Sequence, residues 1–476
     1  MEENYVPTKL SLSVVASCLV SFCGLITETA TNIAFPAVMK TFSVSTGTVQ
    51  WLTTGNLLVV AMIMPLSALL QRRFKLRHLF LFATLCFIIG TVMAAVSPNF
   101  AILLLARLVQ GVGTGVGVPI AFCIILEQIP FGKVGTYMGY GALVSAAAPA
   151  LGPTYGGIVN QTLGWRFIFM ILIPVLLFTL ILGLCTIEEN RQPEKVPVDM
   201  PGIILIMLTF LCLVYGFANI GSFGAQPLGE IVVFVVGIAA LLLFAKHCAK
   251  CEHPLIDVAI FRNIPFVCHL IAFFLINAIM LGISFLLPNY LQVTLLCASM
   301  MAGLMLLPGA GLNALMGPFS GAALDKIGAK LTILVGTGLM TIGTALFALF
   351  GMRLNTEMII GFYILFGVGC GIAFGNTMTI GNTMTIGNTM TIGNLRLPVQ
   401  QKAYGNTCFN TLMQFAGVTS TSICAALVSA AQGRNNGLGC EIRTVVGSTQ
   451  GFIFLLVLAV ICLILQIVGF RVYEDR

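Results

Sequence analysis

The sequence predicts an all-α polytopic membrane protein of fourteen transmembrane helices, arranged as two six-helix bundles with a two-helix insert between them. Three observations predict it. Apolar residues make up 58% of the 476 positions and charged residues only 8%, the reverse of what a water-facing surface needs, so the outside of this core faces membrane lipid. Fourteen apolar runs each reach about 20 residues, enough to cross roughly 30 Å of hydrocarbon. Of the 23 Lys and Arg residues, seventeen fall on the side that carries both termini and five on the other. That asymmetry places both termini in the cytoplasm. It also accounts for the net charge of +7, so no nucleic-acid partner is expected.

The first run centres near Cys23 and is interrupted by Glu28; Met1 to Lys9, with two acids and one Lys, does not read as the start of a cleavable signal peptide. The second and third centre near Val60 and Ala83, separated by the basic stretch LLQRRFKLRH. The fourth, near Gly111, holds Arg107, a cation in an otherwise uncharged run from Ser97 to Leu126. A guanidinium stays charged at accessible pH and costs about 3 kcal/mol or more at mid-bilayer, so a partner and a function are expected. Behind it, RLVQGVGTGVGVP sets Gly111, Gly113, Gly115 and Gly117 on one helix, allowing close backbone approach to a neighbour. The fifth span, near Ala146, carries APALGPTYGG, with Pro149, Gly152, Pro153, Gly156 and Gly157.

After the sixth span, near Leu176, the polar stretch EENRQPEKVPVD with its two prolines reads as a cytoplasmic linker. Shorter, Gly-interrupted spans near Leu211 and Val236 form the insert. A second polar stretch, from Lys246 to Asn263, precedes spans near Phe274, Gly311, Thr341, Leu365, Val418 and Leu456. The expected organisation is therefore an N-terminal bundle over residues 1–187, a linker with the insert over 188–262, and a C-terminal bundle over 263–476.

Most of the 15 cysteines lie in apolar spans, where a thiol behaves as a small hydrophobe. Cys248 and Cys251 form a CAKC beside His247 and His253, which are zinc-type ligands. No second Cys pair accompanies them, so the segment reads as a linker with free thiols, and no metal site is expected. The hexapeptide GNTMTI occurs three times in tandem from Gly375 to Ile392. Six residues turn an α-helix by about 240°, so successive copies cannot present one face to one neighbour. Glu357 to Ile392 spans 36 residues, roughly 54 Å of helix. Two copies fewer would leave 24, an ordinary span, so the repeat reads as a duplication that pushes polar helix or loop into the cytoplasm.

Taken in order, these strings resemble the major facilitator superfamily, in its fourteen-span drug:proton antiporter branch, over almost the whole chain. RLVQGVGTGVGVP and APALGPTYGG resemble the family's fourth-helix and antiporter motifs. ETATNIAFP, from Glu28 to Pro36, is similar to the first-helix motif, with Thr27 at the place many members give the acid. GWRFIFMILIPV, from Gly164, resembles the start of the sixth helix, and HPLIDVAIFRN, from His253, the linker before the second half. GAALDKIGAK resembles the cytoplasmic gate motif through Gly321, Asp325, Lys326 and Gly328. LLQRRFKLRH has neither Asp nor Gly, so Asp325 lacks a first-half counterpart and the basic cluster reads as a topology signal.

The resemblance implies the major facilitator fold and proton-coupled export of lipophilic drugs or toxic compounds by alternating access. It implies no cofactor beyond the proton as coupling ion, small lipophilic substrates and membrane lipid as the only partners, and a monomer. Glu28 is the only carboxylate well inside a span. Burial favours the protonated form of a carboxyl group and a nearby cation the ionised form, so a Glu that meets Arg107 in one conformation and leaves it in another binds and releases a proton per cycle. By correspondence with family helices, the substrate cavity is expected to use Asn32, Gln110, Asn277, Asn313, Asn410 and Gln414. An Asn or Gln in a span serves equally as an interhelical hydrogen bond.

Other classes fare less well. A channel needs rings of charge or a filter loop, and an enzyme a cluster of nucleophile, acid and base; the four His, at 78, 247, 253 and 269, supply none. Export of an endogenous metabolite, lipid or peptide, and a sensor derived from a transporter, remain as alternatives.

Overall fold

The computed structural model describes residues 6–129, 131–189, 199–218, 227–251, 261, 264–327, 329–390, 399–433 and 439–474. Among them every regular element is helical. Lipid offers the backbone no hydrogen-bond partners, and helices satisfy their N–H and C=O groups internally. Thirteen helices are long and apolar enough to cross a membrane, and α6 below adds a further helix of 32 residues. All fourteen sequence-derived centres fall in separate long helices.

The described chain divides into two compact units. The first comprises Met1–Val198 with Ala298–Leu307. It contains α1 (Thr8–Phe42), the short α2 (Thr46–Val49), α3 (Trp51–Arg73), α4 (Leu76–Ala95), α5 (Phe100–Gln128), α6 (Phe131–Thr162), the one-turn α7 (Phe167–Met170) and α8 (Leu172–Thr186). Helix α5 packs against α1, α3 and α4, while α1 also packs on α6 and α8.

The connection from α6 to α7 shows how GWR works. Gly164 has φ +96°, a left-handed conformation that glycine alone adopts cheaply, and its N–H closes α6 on the Val159 carbonyl at 3.0 Å. Trp165, 5% exposed, then donates its indole N–H to Thr41 Oγ1 (3.2 Å) on α1. Arg166 stacks 4.3 Å above the indole ring and donates to the Ser97 carbonyl (2.8 Å) at the end of α4.

The second unit comprises Asp199–Cys297 with Pro308–Arg476. It holds the paired helices α9 (Met200–Ala218) and α10 (Pro227–Cys248), then α11 (Ile264–Asn289), most of α12 (Ser299–Ile327), α13 (Ala329–Phe350), α14 (Thr356–Met390), α15 (Val399–Gly433) and α16 (Cys440–Glu474). Helix α11 packs on α14, α15 and α16, and α13 packs on α14 and α16. Pro288 near the end of α11 is followed by a π-helical turn, Tyr290–Thr294, whose buried Tyr290 donates to the Gly351 carbonyl at 3.1 Å. The insert hairpin carries exposed Ile231, Val232, Val235, Leu242 and Leu243, an apolar surface that only lipid or another apolar face covers without cost.

Helix α14 runs for 35 residues, about 52 Å, through two full GNTMTI copies and into the third. The backbone thus continues as helix well past a single span, while the side chains of the repeat and residues 391–392 lie outside the described residues.

Candidate functional site

Arg107 sits two turns into α5, whose first turn is capped by Asn99 accepting from the Ile102 N–H at 2.9 Å. It is 1% exposed. Helix α3 holds the residue at both ends: Asn56 Nδ2 donates to the Arg107 carbonyl (2.8 Å), and Arg107 Nε donates to the Leu52 carbonyl (3.2 Å). One turn on, Gln110 Oε1 accepts from Nη1 at 2.6 Å. The Gln110 amide in turn donates to Thr91 Oγ1 on α4 (2.9 Å), and Thr91 donates to the Phe87 carbonyl (2.7 Å).

This chain of bonds requires α4 and α5 to lie close, and glycine makes that possible. A Cβ on Gly90 would fall 2.7 Å from the Ala106 carbonyl oxygen and 2.8 Å from the Gln110 nitrogen, both backbone. The glycines after Arg107 serve more than one neighbour: Gly111 and Gly115 face α3 at Asn56, Val59 and Ile63, while Gly113 faces α4 at Ala83 and Phe87 and Gly117 faces Val20 on α1.

Glu28 lies on α1, 6% exposed, with Thr27 and Thr31 turned back onto the carbonyls of Cys23 and Thr27. Helix α1 approaches α5 closely one turn away, where Gly24 meets the Thr114 side chain. No hydrogen bond or ion pair joins Glu28 to Arg107 among the described residues. Arg107 Nη2 has no hydrogen-bond partner among the described residues. The arrangement is a buried cation with two of its three nitrogens fixed and the third uncommitted, next to a helix that bears a buried carboxyl group. A carboxylate that moves against Nη2 gains a charge-assisted hydrogen bond, and one that moves away must take up a proton or reach water.

The first unit also contains Asn32, whose Oδ1 accepts from Thr53 on α3 at 2.8 Å. Asn32 and Arg107 are thus both bonded to α3, and Gln110 to Arg107, in the unit that also carries Glu28. In the antiporter motif, Gly152 and Gly156 face α1 at Thr29 and Ala30, whereas Gly157 and Pro153 meet the first turns of α12 at Ser299 and Gly303. Pro149 and Pro153 lie within α6 without ending it.

The remaining cavity candidates belong to the second unit. Asn277 is fully buried; its Nδ2 donates to the Phe273 carbonyl of its own helix (2.9 Å) and its Oδ1 has no partner among the described residues. Asn313 Nδ2 lies 3.8 Å from Met280 Sδ, and Gln414 is 3% exposed. The side chain of Asn410 and those of Gly321, Asp325, Lys326 and Gly328 lie outside the described residues. Sequence reasoning missed Thr53, Asn56 and Thr91. The first two had a signal, since Gln50, Thr53, Thr54 and Asn56 form a polar stretch at the start of an apolar helix.

Comparison with known proteins agrees with this architecture. The lincomycin resistance protein LmrB of Listeria monocytogenes is 35% identical over 464 residues, covering 95% of this chain and 95% of that protein. Its Bacillus subtilis namesake is 33% identical over 420 residues, covering 88% and 85%. A multidrug resistance protein B homolog of Mycobacterium tuberculosis is 28% identical over 362 residues, covering 74% and 67%. Among solved structures, an inward-facing, unoccupied bacterial homolog of the human lysosomal transporter Spinster superimposes with a TM-score of 0.70 at 16% identity, covering 99% of both chains. The POT family transporter PepTSo gives 0.67 at 14% over the same share. The model of the Major Facilitator Superfamily matches residues 17–421, and the chain belongs to that family.

Proposed function

We propose that the protein is a proton-coupled antiporter that exports lipophilic drugs or other toxic compounds by alternating access, as a monomer in the cytoplasmic membrane with both termini in the cytoplasm. Two relatives named for lincomycin resistance, matched over 85% and 95% of their length, and one named for multidrug resistance support drug export. The observation that carries the coupling is Arg107: fixed by Leu52 and Gln110 through two nitrogens, it keeps the third for an anion in a unit whose intramembrane carboxylate is Glu28.

In this scheme Glu28 is ionised when paired with Arg107 and protonated when separated, so the proton-motive force biases the exchange between states. Substrate and proton compete, directly at Glu28 for a cationic drug or through conformation for a neutral one. Asn32, Gln110, Asn277, Asn313, Asn410 and Gln414 are the proposed cavity polar groups, and Gly321, Asp325, Lys326 and Gly328 the proposed cytoplasmic gate. The test is efflux of a panel of lipophilic antibiotics, lincomycin included, from proteoliposomes under an imposed pH gradient. Gradient-dependent movement of at least one compound supports the proposal; extrusion that persists undiminished after an uncoupler collapses the gradient overturns it.

A further inference from the structure

Outside the Glu28 region, the second unit brings together three metal-ligand side chains from opposite ends of the insert hairpin. Asp199 caps α9, accepting the Gly202 N–H at 3.0 Å on Oδ1. His247 lies in the last turn of α10, 48 residues on, and its Nε2 sits 2.6 Å from the same Oδ1. Cys251 follows the helix by three residues and carries a free thiol. One ligand atom from each lies within 4.8 Å of the others.

We propose that Asp199, His247 and Cys251 form a zinc-type divalent-metal site that clasps the start of α9 to the end of α10. The donor set, one carboxylate, one imidazole and one thiolate, is that of a borderline-soft ion such as Zn²⁺, with a fourth position left for water. A second observation points the same way. The Asp199 side chain is only 5% exposed, yet its Oδ2 is buried and has no hydrogen-bond partner among the described residues. A carboxylate oxygen without a partner is costly, and a cation satisfies it. His247 keeps 30% exposure, which leaves a route from solvent, and Lys246 and Lys250 are exposed.

Around a tetrahedral zinc the ligand atoms stand about 3.5 Å apart. The 2.6 Å Asp–His contact therefore opens by about an ångström, and any separation between about 3.5 Å and the 4.8 Å limit closes toward the smaller value. Coordination replaces the Asp199–His247 hydrogen bond, the imidazole proton resides on Nδ1, and the thiol proton of Cys251 leaves to solvent.

The test uses the full-length protein in detergent, stripped with a chelator and titrated with Co²⁺. The expected result is one Co²⁺ per chain with a thiolate-to-cobalt charge-transfer band that Zn²⁺ abolishes. Asp199→Asn, which preserves the helix cap, and Cys251→Ser lose the band or weaken binding at least about tenfold; Cys248→Ser keeps it. In the unmutated protein, Zn²⁺ slows alkylation of Cys251, followed peptide by peptide by mass spectrometry. Absence of the band, its survival in Cys251→Ser, its loss in Cys248→Ser, or Zn²⁺-independent alkylation of Cys251 each overturns the proposal.

Discussion

Replacing Gly156 by alanine tests whether the antiporter motif is a fitted seam against the helix that carries Glu28. A Cβ built there would lie 2.6 Å from the Ala30 carbonyl oxygen, 2.8 Å from its Cα and 3.0 Å from its Cβ. Two of the three obstacles are backbone, so no rotamer change relieves them. Ordinary contact begins near 3.4 Å, and α1 and α6 must separate by about 0.8 Å at Ala30, two residues from Glu28. Overpacking of this kind costs about 1–3 kcal/mol. Alanine's better helix propensity returns about 1 kcal/mol, leaving a net destabilisation of up to about 2 kcal/mol. The assay pairs thermal unfolding in detergent with gradient-driven efflux from proteoliposomes. We expect a modestly lowered unfolding temperature and a disproportionate loss of transport, because the displaced segment bears the coupling carboxyl group. Gly361→Ala, where nothing stands within 4 Å, should leave transport unchanged and keep or slightly raise the unfolding temperature. Wild-type transport and stability in Gly156→Ala would refute the seam argument.

Three further outcomes follow from the same geometry. Gln110→Leu leaves Arg107 Nη1 and Thr91 without their partner; stranding a buried charged donor costs about 2–3 kcal/mol, so both unfolding temperature and efflux should fall, and unchanged values would remove Gln110 from the network. Trp165→Leu loses the bond to Thr41 and the stacking of Arg166, about 1–2 kcal/mol together; detergent unfolding should reveal this, with transport per folded molecule retained. Deleting two GNTMTI copies shortens α14 to an ordinary span; an altered efflux rate at equal expression is expected, and unchanged efflux would make the repeat a neutral extension.

The fold was legible because lipid leaves the chain little choice. Each crossing needs about 20 apolar residues, and polar or turn-forming stretches separate the crossings, so fourteen helices could be counted before any packing was known. Arg107 was legible for the same reason, as a charge where charge is expensive. Its hydrogen-bond partners were not: Gln110 reads from the sequence as a cavity group, yet it accepts from Arg107 Nη1. Leu52 contributes a carbonyl, which no side-chain pattern announces, and Thr91 reaches Gln110 only because Gly90 lets α4 approach α5. The glycines of α5 illustrate a related limit: their spacing marks close packing, but only the helix azimuths assign Gly111 and Gly115 to α3 and Gly113 to α4. Asp199 and His247 are 48 residues apart in two polar stretches with no shared periodicity. The sequence therefore exposed the CAKC thiols without the carboxylate that completes a ligand set.

The most direct test of proton coupling follows lumenal pH in proteoliposomes as an exported compound moves down its own gradient. Unmutated protein should drive protons the opposite way, and Glu28→Gln should still carry compound down its gradient with no accompanying proton movement. Proton flux of wild-type size in Glu28→Gln would contradict the account.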